Sequence, residues 1–259
     1  MAACLLAALP ACASKGARKR EAPPPEQIYR TALQKMEKKK YYAARTLLQS
    51  ALPRIPPEDR DLLPKVQLAI ADAFYKDGGL LNYGEALNGY RNFLTYFPDH
   101  LEADRAQFMV GMSLFQQALS PDRDQALTLN AIAEFKKVTA DHPGSPYVEQ
   151  SQERIRRCQD RLAEHERLIG WFYQRRKAWL AAIDRYRDIL EKYPSYGRTD
   201  RVLFDLGQCL LAIGRRPEAE EAFTRLQQGN PDGPLASKAK DLLAEYDRSQ
   251  GKERKDPKG

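Results

Sequence analysis

The chain has little from which to build a sheet. Val, Ile and Thr together supply 21 of its 259 residues, whereas Ala supplies 33 and Leu 31. Ala and Leu are strong helix formers, and β-branched residues are the ones enriched in strands. The balance argues against sheet-based enzyme folds. No apolar run approaches the roughly 20 residues of a membrane-spanning helix. Gly and Pro number 15 and 17, too few for a fibrous or disordered chain.

Chemistry-bearing motifs are also missing. The only histidines are His100, His142 and His165. His165-Glu166 has no second His at zinc-protease spacing, and there is no Gly-rich phosphate loop or dinucleotide fingerprint. The cysteines show no CxxC or Cys/His metal spacing. Acidic pairs such as Glu220-Glu221 lie in charged helical sequence and read as solvated surface. These absences point away from an enzyme and leave no cofactor, metal or small-molecule substrate to expect. Arg154, Arg156 and Arg157 form a short basic run without interleaved aromatics, which argues against nucleic-acid binding. The net charge of +7 is carried largely by two polar tails, Lys15 to Arg20 and Lys252 to Lys258. Between them acids and bases mix, as on solvated helix faces.

What is present begins with MAACLLAALPAC, an apolar, uncharged stretch of signal-peptide length. Its end, Leu9-Pro10-Ala11-Cys12, resembles a bacterial lipobox: an apolar residue, then a small residue before a Cys whose thiol takes a diacylglycerol. The expected organisation is a signal peptide over 1–11, then a lipidated Cys12 opening a basic, Pro-rich tether over 12–25. Ala13, rather than Asp, follows the Cys and points to the outer membrane. Cys4 and Cys12 belong to this segment. Cys158 and Cys209 lie on helical patterns and are expected as inert thiols rather than a disulfide.

A repeat organises the rest. Five segments carry an Ala, a large apolar residue four later and a Pro twelve after the Ala: Ala44/Leu48/Pro56, Ala86/Tyr90/Pro98, Ala131/Phe135/Pro143, Ala182/Tyr186/Pro194 and Ala219/Phe223/Pro231. Residues i and i+4 share a helix face. The Ala admits a neighbouring helix, the large residue fills the space beneath, and the Pro ends the helix. Upstream of each lies a second apolar helix with a small residue at Ala32, Ala71, Gly111, Gly170 or Gly207. Longer turns are expected around Gly78-Gly79 and Ser120-Pro121-Asp122. A long helix is expected from Pro146 to about Arg176, with Ser145 as its cap. Helix pairs of this kind bury their faces only by stacking.

This pattern resembles the tetratricopeptide repeat. The resemblance implies an all-α superhelical solenoid of five helix pairs over 26–56, 58–98, 99–143, 145–194 and 197–231. A capping helix over 234–246 and a charged, disordered tail over 247–259 complete the expected organisation.

Several stretches further resemble the BamD family of outer-membrane lipoproteins: Asn82–His100, Asp104–Phe115, His142–Ser151 and, most specifically, Leu162–Pro194. In the last, Glu166, Gly170, Phe172 and Tyr173 precede a basic turn of Arg175, Arg176 and Lys177. The resemblance implies a scaffold of the β-barrel assembly machinery, at the periplasmic face of the outer membrane. Its partners would be a barrel-forming subunit with periplasmic domains, other assembly lipoproteins, unfolded outer-membrane proteins and the membrane itself through the lipid anchor. N-terminal repeats would receive the C-terminal signal of unfolded β-barrel chains. Repeat spacing places Tyr29, Leu33 and Met36, then Asp72, Tyr75 and Lys76, then Phe108, Met112 and Gln116 toward that groove, with Lys76 as partner for a peptide carboxylate. Inter-repeat core is the competing place for each of these side chains. Arg198 and Arg201 stand near the family's docking position for the barrel-forming subunit. The alternative from a different class is a periplasmic tetratricopeptide adaptor for peptidoglycan synthesis or cell division, of the Tol–Pal-associated kind.

Overall fold

The computed structural model describes residues 22–255. The expected signal peptide, Cys12 and most of the tether lie outside the described residues. Every element within them is helical: α1 (Pro25–Glu37), α2 (Tyr41–Ala51), α3 (Leu62–Asp77), α4 (Leu80–Tyr96), α5 (Ala103–Gln117), α6 (Ala126–Asp141), α7 (Val148–Arg175), α8 (Trp179–Lys192), α9 (Thr199–Ala212), α10 (Arg216–Gly229) and α11 (Pro234–Lys255). A short 3₁₀ turn, Leu52–Arg54, follows α2. Each helix from α1 to α10 packs chiefly on the one before and the one after it, giving an all-α solenoid that α11 closes against α9 and α10.

The repeat positions explain the stacking. Ala44, Ala86, Ala131, Ala182 and Ala219 are fully buried, and so are Leu48, Tyr90, Phe135, Tyr186 and Phe223. Burying one such large side chain contributes roughly 1.5–3 kcal/mol. Pro98, Pro143, Pro194 and Pro231 each stand two positions beyond the last residue of α4, α6, α8 and α10. Pro disfavours helical geometry in the residue before it, so each helix stops there. The small residues upstream permit close approach. A Cβ on Gly111 would meet the Phe135 ring at 2.6 Å, and one on Gly170 would meet Tyr186 at 2.7 Å. At the α3/α4 contact the small pair is Ala71 against Gly89, 2.9 Å from such a Cβ.

The turns follow local chemistry. Gly78 and Gly79 (φ 75° and 86°) link α3 to α4 in a backbone conformation that costs glycine little. Between α5 and α6 the Gln125 amide donates to the Ser120 and Arg123 carbonyls at 3.0 and 2.9 Å. Arg161 donates to the Ala118 carbonyl at 3.3 Å. His165 Nδ1 lies 2.5 Å from the Pro121 carbonyl oxygen, so that nitrogen carries the proton. The histidine of the His165-Glu166 pair therefore fastens a loop.

Two helix boundaries depart from the sequence reading. The long helix starts at Val148 rather than Pro146, while Ser145 Oγ donates to Asp104 at 2.6 Å and accepts the Tyr147 backbone N–H at 3.1 Å, as a cap would. The closing helix continues past residue 246 to Lys255, where a disordered tail was expected. Arg216 grips Asp247 through two hydrogen bonds of 2.7 and 2.9 Å, and good helix formers carry the helix on. Cys158 and Cys209 are free, buried thiols, pushed up by burial to about 11 and about 12.

Candidate functional site

Helices α1, α3 and α5 enclose a cleft of about 690 Å³ in the N-terminal half. Tyr29, Leu33 and Met36 of α1 form one wall, at helical spacing. Lys65, Leu68, Asp72 and Lys76 of α3 form the facing wall. His100 and Leu101, from the α4–α5 turn, and Arg105 of α5 close one end. Leu101 is almost entirely exposed, an apolar side chain held at the mouth.

The cations in this cleft are not equivalent. Lys65 pairs with Asp61 at 2.6 Å. Arg105 Nη1 lies 3.0 Å from Asp72 and its Nε 2.5 Å from Glu102. The Tyr90 hydroxyl also donates to Asp72, at 2.6 Å. Burial, the Asp72 charge and this hydrogen bond together hold the Tyr90 phenol well above its ordinary range. Lys76 is exposed and forms no ion pair among the described residues. It is the cation left for an incoming anion.

The structure brings five of the nine expected groove residues together here: Tyr29, Leu33, Met36, Asp72 and Lys76. Met36 is mostly covered. Asp72 is engaged by Tyr90 and Arg105. Tyr75 and Gln116 meet each other instead, with the Gln116 amide 3.4 Å from the Tyr75 hydroxyl and Tyr83 packed at 5.5 Å. Phe108 and Met112 are buried. Tyr147, from the approach to α7, stacks on Phe108 at 5.1 Å, and Phe135 packs at 5.6 Å. These two side chains belong to the inter-helix core, where the α6–α7 connection covers Phe108 through Tyr147. Lys65 and Arg105 were missed. Lys65 stands seven before Asp72 and eleven before Lys76, one stripe of α3 that helical periodicity would have revealed.

A second surface lies in the C-terminal half. Arg198 and Arg201 line a shallow hollow of about 370 Å³ with Arg167, Leu168 and Trp171. Arg198 reaches Glu164 at 3.3 Å and Arg201 reaches Asp205 at 2.9 Å. Glu164 also receives Arg167 at 2.7 Å and the Tyr196 hydroxyl. Burial works against its charged form, but these hydrogen bonds outweigh it and hold the carboxyl below its usual range. Asp205 is the opposite case. Burial dominates, Oδ1 has no hydrogen-bond partner among the described residues, and the carboxyl is pushed up despite Arg201. Beside this hollow, a larger cleft of about 740 Å³ runs between α7, α9 and α11, lined by Trp171, Trp179, Leu211 and Tyr246 among others. Among the described residues, no three His, Cys, Asp or Glu side chains come together as a metal site would require.

A family model described as YfiO, outer membrane lipoprotein, matches residues 21–226. The outer membrane protein assembly factor BamD of Vibrio cholerae is 30% identical over 218 residues, covering 80% of this chain and 88% of that one. Its namesake in Caulobacter vibrioides is 30% identical over 138 residues, covering 53% of this chain and 45% of that one. Among solved structures, the TPR2AB domain of yeast Sti1 is similar with a TM-score of 0.45 and 14% identity, over 85% of this chain and 82% of that one. The family match begins at the approach to α1 and ends within α10, taking in both surfaces, and the chain belongs to the YfiO family of outer membrane lipoproteins.

Proposed function

We propose that this protein is an assembly factor for outer-membrane β-barrel proteins, a scaffold rather than an enzyme. It is held at the periplasmic face of the outer membrane by acylated Cys12, once residues 1–11 are removed, with residues 12–25 as tether. The names of the Vibrio and Caulobacter relatives support this reading over the cell-division adaptor. In it, the N-terminal cleft receives the C-terminal segment of an unfolded β-barrel chain, and the face around Arg198 and Arg201 docks the barrel-forming subunit.

The observation that carries the cleft's part is the pairing of an apolar wall with one uncommitted cation. Tyr29 and Leu33 offer contacts for apolar side chains of an extended peptide, and Lys76 offers a charge for its terminal carboxylate. The test is binding of a peptide that ends as a β-barrel strand ends, with an aromatic residue and a free carboxylate. The acid should bind about tenfold tighter than its C-terminal amide, and Lys76→Gln should erase that difference. Equal affinity for acid and amide in the unaltered protein would refute this use of the cleft. The docking part is tested separately, by detergent pull-down from outer membranes with a C-terminal tag. Arg201→Glu should reduce recovery of a β-barrel protein bearing periplasmic domains; unchanged recovery would refute it.

A further inference from the structure

The α7–α8 tip lies far from the N-terminal cleft along the chain and adjoins the C-terminal surface, sharing Trp171 with the Arg201 hollow and Trp171, Arg175 and Trp179 with the larger cleft. Helix α7 has 28 residues, whereas its neighbours α6 and α8 have 16 and 14. The α5–α6 loop is fastened to α7 at Arg161 and His165. Beyond His165 the helix runs on for about 15 Å before turning at Arg176-Lys177. Its inner face is occupied: Gly170 sits against Tyr186, and Gln174 accepts from the Tyr186 hydroxyl at 2.7 Å. Residues 171, 172, 175 and 176 share the outer face.

That outer face is both aromatic and cationic. Trp171 and Phe172 are 40% and 47% exposed, and Leu180, at the start of α8, is 64% exposed. The Arg175 guanidinium lies over the Trp171 ring at 4.7 Å, and that of Arg176 over Phe172 at 4.3 Å. The chain has two tryptophans, and the second, Trp179, lies at the same turn. Among the described residues none of Arg175, Arg176 and Lys177 forms an ion pair, although most arginines from Arg156 to Arg216 do. Lys177 has φ 59°, the left-handed conformation in which glycine is the unstrained residue. A lysine at that position costs stability and places a charge at the apex.

We propose that this tip docks on an anionic phospholipid surface, a membrane contact additional to the lipid anchor. Tryptophan and phenylalanine flanked by Arg and Lys are the side chains that settle at the headgroup level of a bilayer, rings at the acyl boundary and cations at the phosphates. Among the described residues the three cations have no carboxylate partner, and they complement phosphate charge. Arg176, Phe172, Lys177 and Leu180 line neither of the neighbouring clefts and remain at the open end of the tip. Membership of an outer-membrane lipoprotein family places a bilayer within reach. The contact needs no peptide in the N-terminal cleft, and its three cations, unlike Trp171, lie outside the lining of the Arg201 hollow, so substituting them tests it separately from docking there.

The experiment uses the full chain carrying Cys12→Ser, so that no acyl chain contributes. It is sedimented with vesicles of phosphatidylethanolamine and phosphatidylglycerol, and with vesicles of phosphatidylcholine alone. Binding should favour the anionic vesicles and weaken with salt. Each cation contributes about fivefold, so Arg175→Gln, Arg176→Gln and Lys177→Gln combined should weaken binding about a hundredfold. Lys177→Gly alone should lose about fivefold while raising Tm, a pairing of effects that a purely structural lysine would not produce. With Trp179→Phe as background, Trp171 emission should shift to the blue on anionic vesicles. Equal binding to both vesicle types would overturn the proposal, as would full binding by the triple variant or an unshifted Trp171. A triple variant that binds vesicles normally but loses protein partners in the pull-down would assign the tip to a protein instead.

Discussion

Asp72 and Arg105 form an ion pair at 3.0 Å that ties α3 to α5 across the floor of the N-terminal cleft. Because Tyr90 of α4 donates to the same carboxylate oxygen, one side chain links three successive helices. Asp72 thereby holds the cleft's walls at their spacing. Its chemistry is already satisfied inside the protein, and it does not serve as a free acceptor for a ligand.

The expected cost of Asp72→Ala is about 2–3 kcal/mol in urea unfolding, since it leaves a largely covered guanidinium with Glu102 alone and a buried phenol without its acceptor. Tyr90→Phe, which removes one hydrogen bond and leaves the ion pair, should cost about 1 kcal/mol. Equal effects of the two substitutions would show that the Asp72–Arg105 pair contributes nothing to stability.

The close-approach glycines give a prediction with a built-in change of sign. A Cβ at Gly207 would fall well inside van der Waals contact with the buried Phe223 ring, whereas one at Gly84 would meet only the Gln117 side chain at 3.9 Å. Both lie within helices, where Ala is otherwise favoured by about 1 kcal/mol. Overpacking opposes that gain at Gly207 and not at Gly84. Gly207→Ala should therefore destabilise by about 1–2 kcal/mol and Gly84→Ala should stabilise by about 0.5–1 kcal/mol. Thermal denaturation of the two variants checks both signs.

Those glycines mark where the sequence was most legible. Ala, large residue and Pro at fixed spacing reappear in each helix pair because each repeat meets the same packing problem, and period reveals them without any tertiary knowledge. The cleft was legible only where it lies on that period, as for Tyr29, Leu33 and Lys76. Leu101 and His100 come from a turn whose path is set by tertiary packing. Phe108 reads as a groove residue from α5 alone, and its covering by Tyr147 depends on how the next connection folds back. The extension of α11 beyond residue 246 turns on Asp247 finding Arg216, a contact between residues 31 apart.

Glu164 gathers Arg167, Arg198 and Tyr196. With its folded pKa below the ordinary value of 4.5, the native state binds fewer protons than the unfolded chain. This stability is present above pH 4.5 and is lost as pH falls through the depressed folded value. Glu164→Gln should lower stability at pH 7 and flatten that acid limb. A variant whose acid limb matches the unaltered protein would place the acid sensitivity elsewhere, with Glu134 next in line because Lys137 and Gln107 hold it low in the same way against burial.

Asp205 predicts the reverse slope. Its carboxyl is buried, one oxygen lacks a partner among the described residues, and its pKa is raised above 3.8. The folded state therefore favours the protonated form, and the ionised form carries a penalty at neutral pH. Asp205→Asn removes that penalty at the expense of the ion pair to Arg201, whose half-exposed side chain is solvated once released. The substitution should raise stability at pH 7, and the gain should shrink on acidification through the raised pKa toward 3.8. The same change releases the Arg201 guanidinium for a partner. Recovery of the barrel-forming subunit in the pull-down should then rise with Asp205→Asn and fall with Arg201→Glu. Opposite movements from residues one helical turn apart would identify the Arg201 charge as what docks, because a general loss of the α9 surface would lower recovery in both.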